Sequence, residues 1–165
     1  MMAGLECDMN FWVANDPSIA PAFVLADNGF DVWLANNRGT RYGKAHVSLS
    51  VDSEEYWDFN QEQLGLYDLP ANIDFVLKHT NQTKLTYVGH SQGTTQMLMG
   101  ASLSPYFFEQ HVNLFVALAP AASLKHVEVP VFQKLAKTWR PLQMLTKKYG
   151  AFDMFNSNWW EEDAT

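Results

Sequence analysis

Gly89-His90-Ser91-Gln92-Gly93 sets a serine between two glycines at the spacing Gly-x-Ser-x-Gly, which is the pattern of a nucleophile elbow. The chemistry accounts for the spacing. A serine that attacks a carbonyl carbon must stand on a sharp bend between a strand and a helix, with its hydroxyl lifted clear of the sheet. Side chains two residues before and two after would collide inside so tight a bend, and glycine removes them. The helix that follows opens with N–H groups that have no intrahelical partner. The N–H of Gln92 is among those directed at the oxygen that turns negative in the tetrahedral intermediate. With Gly and Ser each near roughly 7% of residues, the triplet arises by chance in about 5% of chains this long. Its context must therefore decide.

A serine nucleophile needs a base. His90 adjoins Ser91 in sequence, but neighbours at an elbow point in different directions, so it is not assigned that role. Hydrolases built on this elbow run in the order serine, acid, histidine. Only His111 and His126 follow Ser91, and neither is preceded by an acid at a strand end. Both read as surface or packing histidines, and the chain supplies a nucleophile without its base.

The elements that must hold Ser91 alternate between helix and strand. A first helix is expected from Ser18 to Asn28, with Ile19, Phe23 and Ala26 on one face, Ser18 as its cap and Gly29 as its left-handed stop. Phe30 to Ala35 reads as a strand that breaks at Asn36-Asn37-Arg38-Gly39-Thr40. Residues 41–63 form a long excursion with a short helix near its end, where Tyr42, His46 and Trp57 support the loop. Leu66, Leu69, Ile73, Val76 and Leu77 recur at helical spacing in a helix that begins near Asp68 and ends near His79. Leu85 to Val88 is a short strand running into the elbow. A helix from Thr94 to about Leu103 follows, stopped by Ser104-Pro105. Val112 to Ala119 is almost uniformly apolar, as a parallel strand covered on both faces requires. The class is α/β with a parallel sheet. Beyond Pro120, Phe132, Leu135, Ala136 and Trp139 mark an amphipathic helix between Pro130 and Pro141, and the segment reads as a separate layer over the sheet.

The 165 residues are 47% hydrophobic and 18% charged, with a formal net charge of −7. Disordered and low-complexity classes are excluded by this balance. So acidic a chain is unsuited to coating nucleic acid or an anionic membrane. Cys7 is the single cysteine, so there is neither an intrachain disulfide nor a multi-cysteine zinc pattern. No cofactor or metal is expected. No run approaches a transmembrane length, and the first eight residues lack the features of a signal peptide.

Phe23 to Thr40 (FVLADNGFDVWLANNRGT), Tyr67-Asp68-Leu69-Pro70-Ala71, Tyr87 to Thr94 and Ala117-Leu118-Ala119-Pro120 together resemble the acid lipases, the gastric and lysosomal lipases and their plant and insect relatives. The blocks fall in the family's order between about Leu5 and Pro120. The resemblance implies an α/β-hydrolase fold with a helical cap inserted after the sixth strand, and hydrolysis of neutral lipid esters, chiefly acylglycerols and sterol esters. It implies Ser91 as the acylated nucleophile and the Gln92 N–H as one oxyanion donor. The second donor in the family follows a His-Gly pair. Here that pair reads Ala3-Gly4, so Leu5 takes the place and the histidine is missing. A secreted or lysosomal setting is also implied, although the residues themselves leave the compartment open.

Measured against the family, the chain reads as a fragment. Residues 1–120 correspond to a partial core with the elbow, and 121–165 to the beginning of the cap. The family's acid and base fall downstream of residue 165. The strand that leads into the Gly4 loop, which in the fold lies between the strand at 30–35 and that at 84–88, is missing, leaving unpaired main-chain groups inside a sheet. The isolated chain is expected to be nearly inactive.

Lesser signals carry less. Asn81-Gln82-Thr83 matches an N-glycosylation acceptor, and an unused site is the favoured reading. Phe152, Phe155, Trp159 and Trp160 read as packing groups of the cap rather than an acyl pocket. The expected partner is a neutral lipid ester, with transient contact at a lipid interface. Two competing readings remain: a non-catalytic remnant that binds an apolar ligand or a protein, and an α/β-hydrolase with another ester or thioester substrate. The Asn-Arg-Gly and Tyr-Asp-Leu-Pro blocks count against the second.

Overall fold

The computed structural model describes residues 1–123 and 127–149. The expectations for His126 and for the aromatic tail from Phe152 to Trp160 lie outside the described residues, as do the side chains of Phe132, Leu135 and Ala136. The chain divides into two compact units. One comprises Met1–Gly43 and Phe59–Ala122; the other comprises Lys44–Asp58 and Ser123–Thr165.

The first unit is built on two parallel strands, β1 (Leu85–His90) and β2 (Val112–Leu118), in the register Tyr87 to Phe115 and Gly89 to Ala117. Side chains alternate across a strand, and β1 uses both faces. Tyr87 packs with Met2, Leu69, Ile73, Leu77, Met97 and Phe108 in one buried cluster. Val88, its neighbour in sequence, packs on the other face against Ala3, Trp12 and Ala22. The parallel direction expected of 112–119 is present, but the covering on both faces is not. Leu114 and Leu118 are 55% and 41% exposed, and among the described residues β2 has a hydrogen-bonded neighbour on one edge only.

The helices preceding β1 depart instructively from their periodicity. α1 spans Pro21–Asp27 rather than starting at Ser18. The Ser18 hydroxyl and N–H both donate to the Asp16 carboxylate, at 2.6 and 2.9 Å, so Ser18 closes a turn and caps nothing. Proline suits the first helical position, where its missing N–H would have no partner, and the helix waits for it. The buried face consists of Ala20 and Ala22, while Ile19 and Phe23 stay exposed. Gly29 ends the element at φ 87°, as expected.

A helical run begins earlier than Asp68. α2 (Gln61–Gln63) opens with Asn60 and Gln63 in a reciprocal capping box. It passes through a π turn at Leu64–Asp68 into α3 (Leu69–Thr80). Pro70 explains the widened turn, since it lacks the N–H that an α-helix would direct at residue 66 and its ring would strike that carbonyl. The Leu69 N–H reaches back to the Leu64 carbonyl instead. The same turn lays Gly65 against the main chain of Gln96 and Gly100.

Between β1 and β2 run α4 (Gln92–Leu103) and α5 (Pro105–His111). Ser104-Pro105 does stop the first helix, but proline also begins the second, which the sequence reading did not anticipate. The strand expected at 30–35 does not form a ladder. Among the described residues its one bridge joins Ala35 to Met2, and Met2 also bridges Gly89 of β1, in parallel on both sides. A strand is stable only as one of several, and between these two segments stand Met1, bonded to Trp33 and Ala35, and Met2, bonded to Val88 and His90. Beside it lies an apolar cavity of about 1210 Å³, walled by Val32, Trp33 and Leu34 on one side and by Thr86 and Val88 on the other.

In the second unit, Ser53 caps a 3₁₀ turn at Glu54–Trp57. The Trp57 indole donates to the Val51 carbonyl at 2.7 Å, and His46 Nδ1 accepts from the N–H groups of Ser48 and Leu49 at 3.1 and 2.8 Å. These are the supporting roles expected of His46 and Trp57. α6 spans Pro130–Tyr149 and continues through Pro141 rather than ending there. Lys147 of α6 pairs with Glu54. Among the described residues no helix is long and apolar enough to cross a membrane.

Candidate active site

Ser91 sits where β1 passes into α4, with φ 49° and ψ −112°. An L-residue held there is strained by on the order of 1–3 kcal/mol and persists only if its surroundings over-determine it. They do so here. The Ser91 N–H donates to the Leu118 carbonyl at 3.0 Å, and the Ser91 carbonyl accepts from the Thr94 N–H at 2.9 Å and the Thr94 hydroxyl at 2.5 Å. Thr94 Oγ1 in turn accepts from the Ala121 N–H at 3.0 Å, while the Thr95 hydroxyl donates to the Ala121 carbonyl at 2.9 Å. The end of β2 is thereby stapled to the first turn of α4. Ala119, at φ 46°, makes the bend that allows it.

Both glycines of the elbow prove necessary for space. A Cβ on Gly89 would stand 2.8 Å from the carbonyl carbon of Gly93, and one on Gly93 would stand 2.6 Å from the Met2 carbonyl oxygen. Gly4 is confined less severely, since its Cβ would lie 3.1 Å from both Ser91 Cβ and His90 Nδ1. The Gly4 loop thus rests directly on the serine. Leu5 follows in a turn closed by the Cys7 N–H on the Gly4 carbonyl at 3.3 Å, with Glu6 at φ 60° and the Leu5 side chain 62% exposed. The structure therefore brings the elements bearing Ser91, Gln92 and Leu5 together. The Gln92 N–H belongs to a first helical turn, which has no intrahelical acceptor to offer it.

The histidines lie elsewhere. His90 stacks on Phe11 with ring centroids 4.6 Å apart and planes 22° from parallel, and its buried Nδ1 has no partner. His111 ends α5, where Nδ1 lies 2.8 Å from the Phe107 carbonyl and the ring packs on Phe107, as a packing histidine would. Among the described residues no imidazole is hydrogen-bonded to Ser91 Oγ. Burial, then the charges of Asp8 and Glu6, push the thiol pKa of Cys7 upward and so deplete its reactive thiolate. No group of three or more His, Cys, Asp or Glu able to hold a metal occurs among the described residues. The sequence reading missed Thr94 and Tyr87 as supports of the elbow. Both flank the motif and carry hydroxyls, which is the signal that was present.

Known proteins are similar to this chain in sequence. The sequence model of the family described as "alpha/beta hydrolase fold" matches residues 8–146. Gastric triacylglycerol lipase of Bos taurus is 46% identical over 133 residues, covering 81% of this chain and 33% of that protein. Lipase member K of Homo sapiens is 39% identical over 142 residues, covering 86% of this chain and 35% of its own length. The tear acid lipase-like protein of Mesocricetus auratus is 45% identical over 125 residues, covering 76% and 31%. The chain spans about a third of the length of these curated relatives. On the strength of the family match and of a serine elbow between a parallel strand and a helix, the chain belongs to the α/β-hydrolase fold family.

Proposed function

We propose that the chain carries the nucleophile half of a serine hydrolase acting on neutral lipid esters, acylglycerols or sterol esters. The observation that carries this reading is the backbone of Ser91, at φ 49° and ψ −112° between β1 and α4. In this reading Ser91 Oγ attacks the ester carbonyl carbon and the oxyanion accepts from the N–H groups of Gln92 and Leu5. The Oγ–C bond forms, the bond to the alcohol oxygen breaks, and the serine proton leaves on the alcohol. Water then attacks the carbonyl carbon of the acyl-serine, the Oγ–C bond breaks, the carboxylic acid leaves, and Ser91 Oγ recovers a proton from the water. Residues 1–120 serve as core and 121–165 as the beginning of a cap. The exposed Trp139, Met144 and Leu145 of α6 are suited to transient contact with a lipid interface.

With no described histidine on Ser91 Oγ, the 165 residues turn over ester slowly by themselves. Loss of a base costs several orders of magnitude in rate even where the elbow survives. A fluorophosphonate tests the site without requiring turnover. Mass spectrometry is expected to find one adduct, on Ser91, that disappears in Ser91→Ala. A chain left unlabelled even at alkaline pH, where hydroxide supplies the base that the described residues do not, contradicts the reading. The apolar cavity favours a second reading, a module that binds an apolar ligand or a protein without chemistry. Fatty-acid binding by a chain that resists labelling is the outcome that selects it.

A further inference from the structure

We infer that three consecutive residues, Asn36, Asn37 and Arg38, are positioning residues that set the spacing between the two oxyanion donors, the N–H groups of Leu5 and Gln92. The inference rests on the reading of Ser91 as nucleophile. Each of the three side chains reaches a different element around the elbow. Asn36 Oδ1 accepts from the Met9 N–H at 3.0 Å. Met9 opens a 3₁₀ turn, Met9–Trp12, anchored by fully buried Trp12, only four residues after Leu5. Asn37 and Gln96 exchange two hydrogen bonds, Asn37 Nδ2 to Gln96 Oε1 at 3.0 Å and Gln96 Nε2 to Asn37 Oδ1 at 2.8 Å. Gln96 lies in α4 four residues after Gln92, on the same helical face. Arg38 donates to Asp68 twice, from its main-chain N–H at 2.8 Å and from Nε at 2.7 Å. The Asn72 amide donates to the carbonyls of both Asn36 and Asp68, at 3.3 and 2.8 Å.

The amide pair is directional in a way that an apolar contact is not. Asn37 is 7% exposed and Gln96 is wholly buried, so each amide must find its partner or remain unsatisfied in a medium of low polarity. Two antiparallel bonds between planar amides fix both the distance and the rotation of α4 relative to the turn. Rotation of α4 about its axis would break them and would swing the Gln92 N–H with it. Asn36 fixes the start of the Leu5 segment to the same turn, and Arg38 fixes the turn to the π turn and α3. One rigid bend thus references both donors.

The test separates positioning from stability. Replacing both amides by apolar groups of similar shape, in the double variant Asn37→Leu with Gln96→Met, removes both bonds of the pair and the longer one of 3.4 Å from Gln96 Nε2 to the Leu64 carbonyl, which keeps the Leu69 N–H, so no partner is stranded and the change is close to neutral for folding. In the full chain, labelled with ¹⁵N, this variant is expected to keep its thermal midpoint, shift the Gln92 amide resonance, and slow fluorophosphonate labelling of Ser91 by about 10- to 100-fold. Asn36→Leu is expected to shift the Leu5 amide instead. The swap Asn37→Gln with Gln96→Asn, which retains an amide pair, is expected to recover part of the labelling rate. An unmoved Gln92 resonance with an unchanged labelling rate in the double variant overturns the inference. So does a labelling loss that only tracks the thermal midpoint across all variants. Absence of labelling in the parent chain counts against the Ser91 reading alone, because the Leu5 and Gln92 resonances still decide the positioning claim.

Discussion

Tyr87 donates a hydrogen bond of 2.8 Å from its phenol to the main-chain carbonyl of Gly93, tying the middle of β1 to the first turn of the helix that β1 enters. Burial pushes the pKa of this phenol far above its ordinary value of 10, since a phenolate among Leu69, Ile73 and Met97 would lose its hydration. The bond is one reason the elbow holds its strained shape.

Above pH about 10 the unfolded chain releases the Tyr87 proton while the folded chain keeps it, so stability falls as pH rises. Below that range the contribution is fully present. Tyr87→Phe is expected to cost about 1 kcal/mol at neutral pH and to shallow the alkaline decline. Urea unfolding at several pH values, parent against variant, measures both.

Gly93 and Gly29 are required for different reasons, which substitution can distinguish. Gly93→Ala drives a Cβ into the Met2 carbonyl and is expected to cost about 1–3 kcal/mol as overpacking, with loss of fluorophosphonate labelling. Gly29, at φ 87°, has open space around it, so Gly29→Ala is expected to cost about 1–2 kcal/mol through backbone strain alone. Gly29→Asn should recover part of that loss, whereas Gly93→Asn should be no better than alanine.

Gly100 marks the closest approach of α4 to its neighbours. A Cβ there would stand 2.5 Å from the Phe108 ring and 2.7 Å from the Gly65 carbonyl. Gly100→Ala is expected to lower stability by about 1–3 kcal/mol. Phe108→Leu in the same chain should relieve the ring clash but not the clash with Gly65, so rescue stays partial. A double-mutant cycle by denaturant unfolding reads the coupling.

The ion pairs differ in worth. Asp68 is nearly buried and accepts from both the main chain and the side chain of Arg38, so a double-mutant cycle on Arg38 and Asp68 is expected to give a coupling of about 1–3 kcal/mol. Arg38→Lys loses the fork and should recover little of it. The Lys147–Glu54 pair, with both side chains half exposed, is expected to show no measurable coupling in the same experiment.

Local signals were read well where one stretch of chain decides the outcome. The elbow at 89–93, the left-handed stop at Gly29 and the helix after Ser91 each depend on residues within a few positions of one another. Where the outcome depends on a distant neighbour, the reading failed. Ser18 had the chemistry of a cap, but Asp16 took its hydroxyl. Pro70 does stand in the first turn of α3, whose start beside Asp68 is the expected one, although the helical run itself opens at Gln61 and reaches the proline through a π turn. Phe30 to Ala35 had the residues of a strand but forms a single bridge, with Met2.

What the residues determined by themselves is a serine with glycines on both sides, poised between a strand and a helix, because glycine spacing and apolar periodicity are written along the chain. What the tertiary structure alone decided is which groups hold that serine in place. Asn37 and Gln96 stand 59 positions apart, and nothing in either local stretch says that their amides will meet. A hydrogen bond between buried side chains depends on the packing of whole helices, and that packing exists only once the chain has folded.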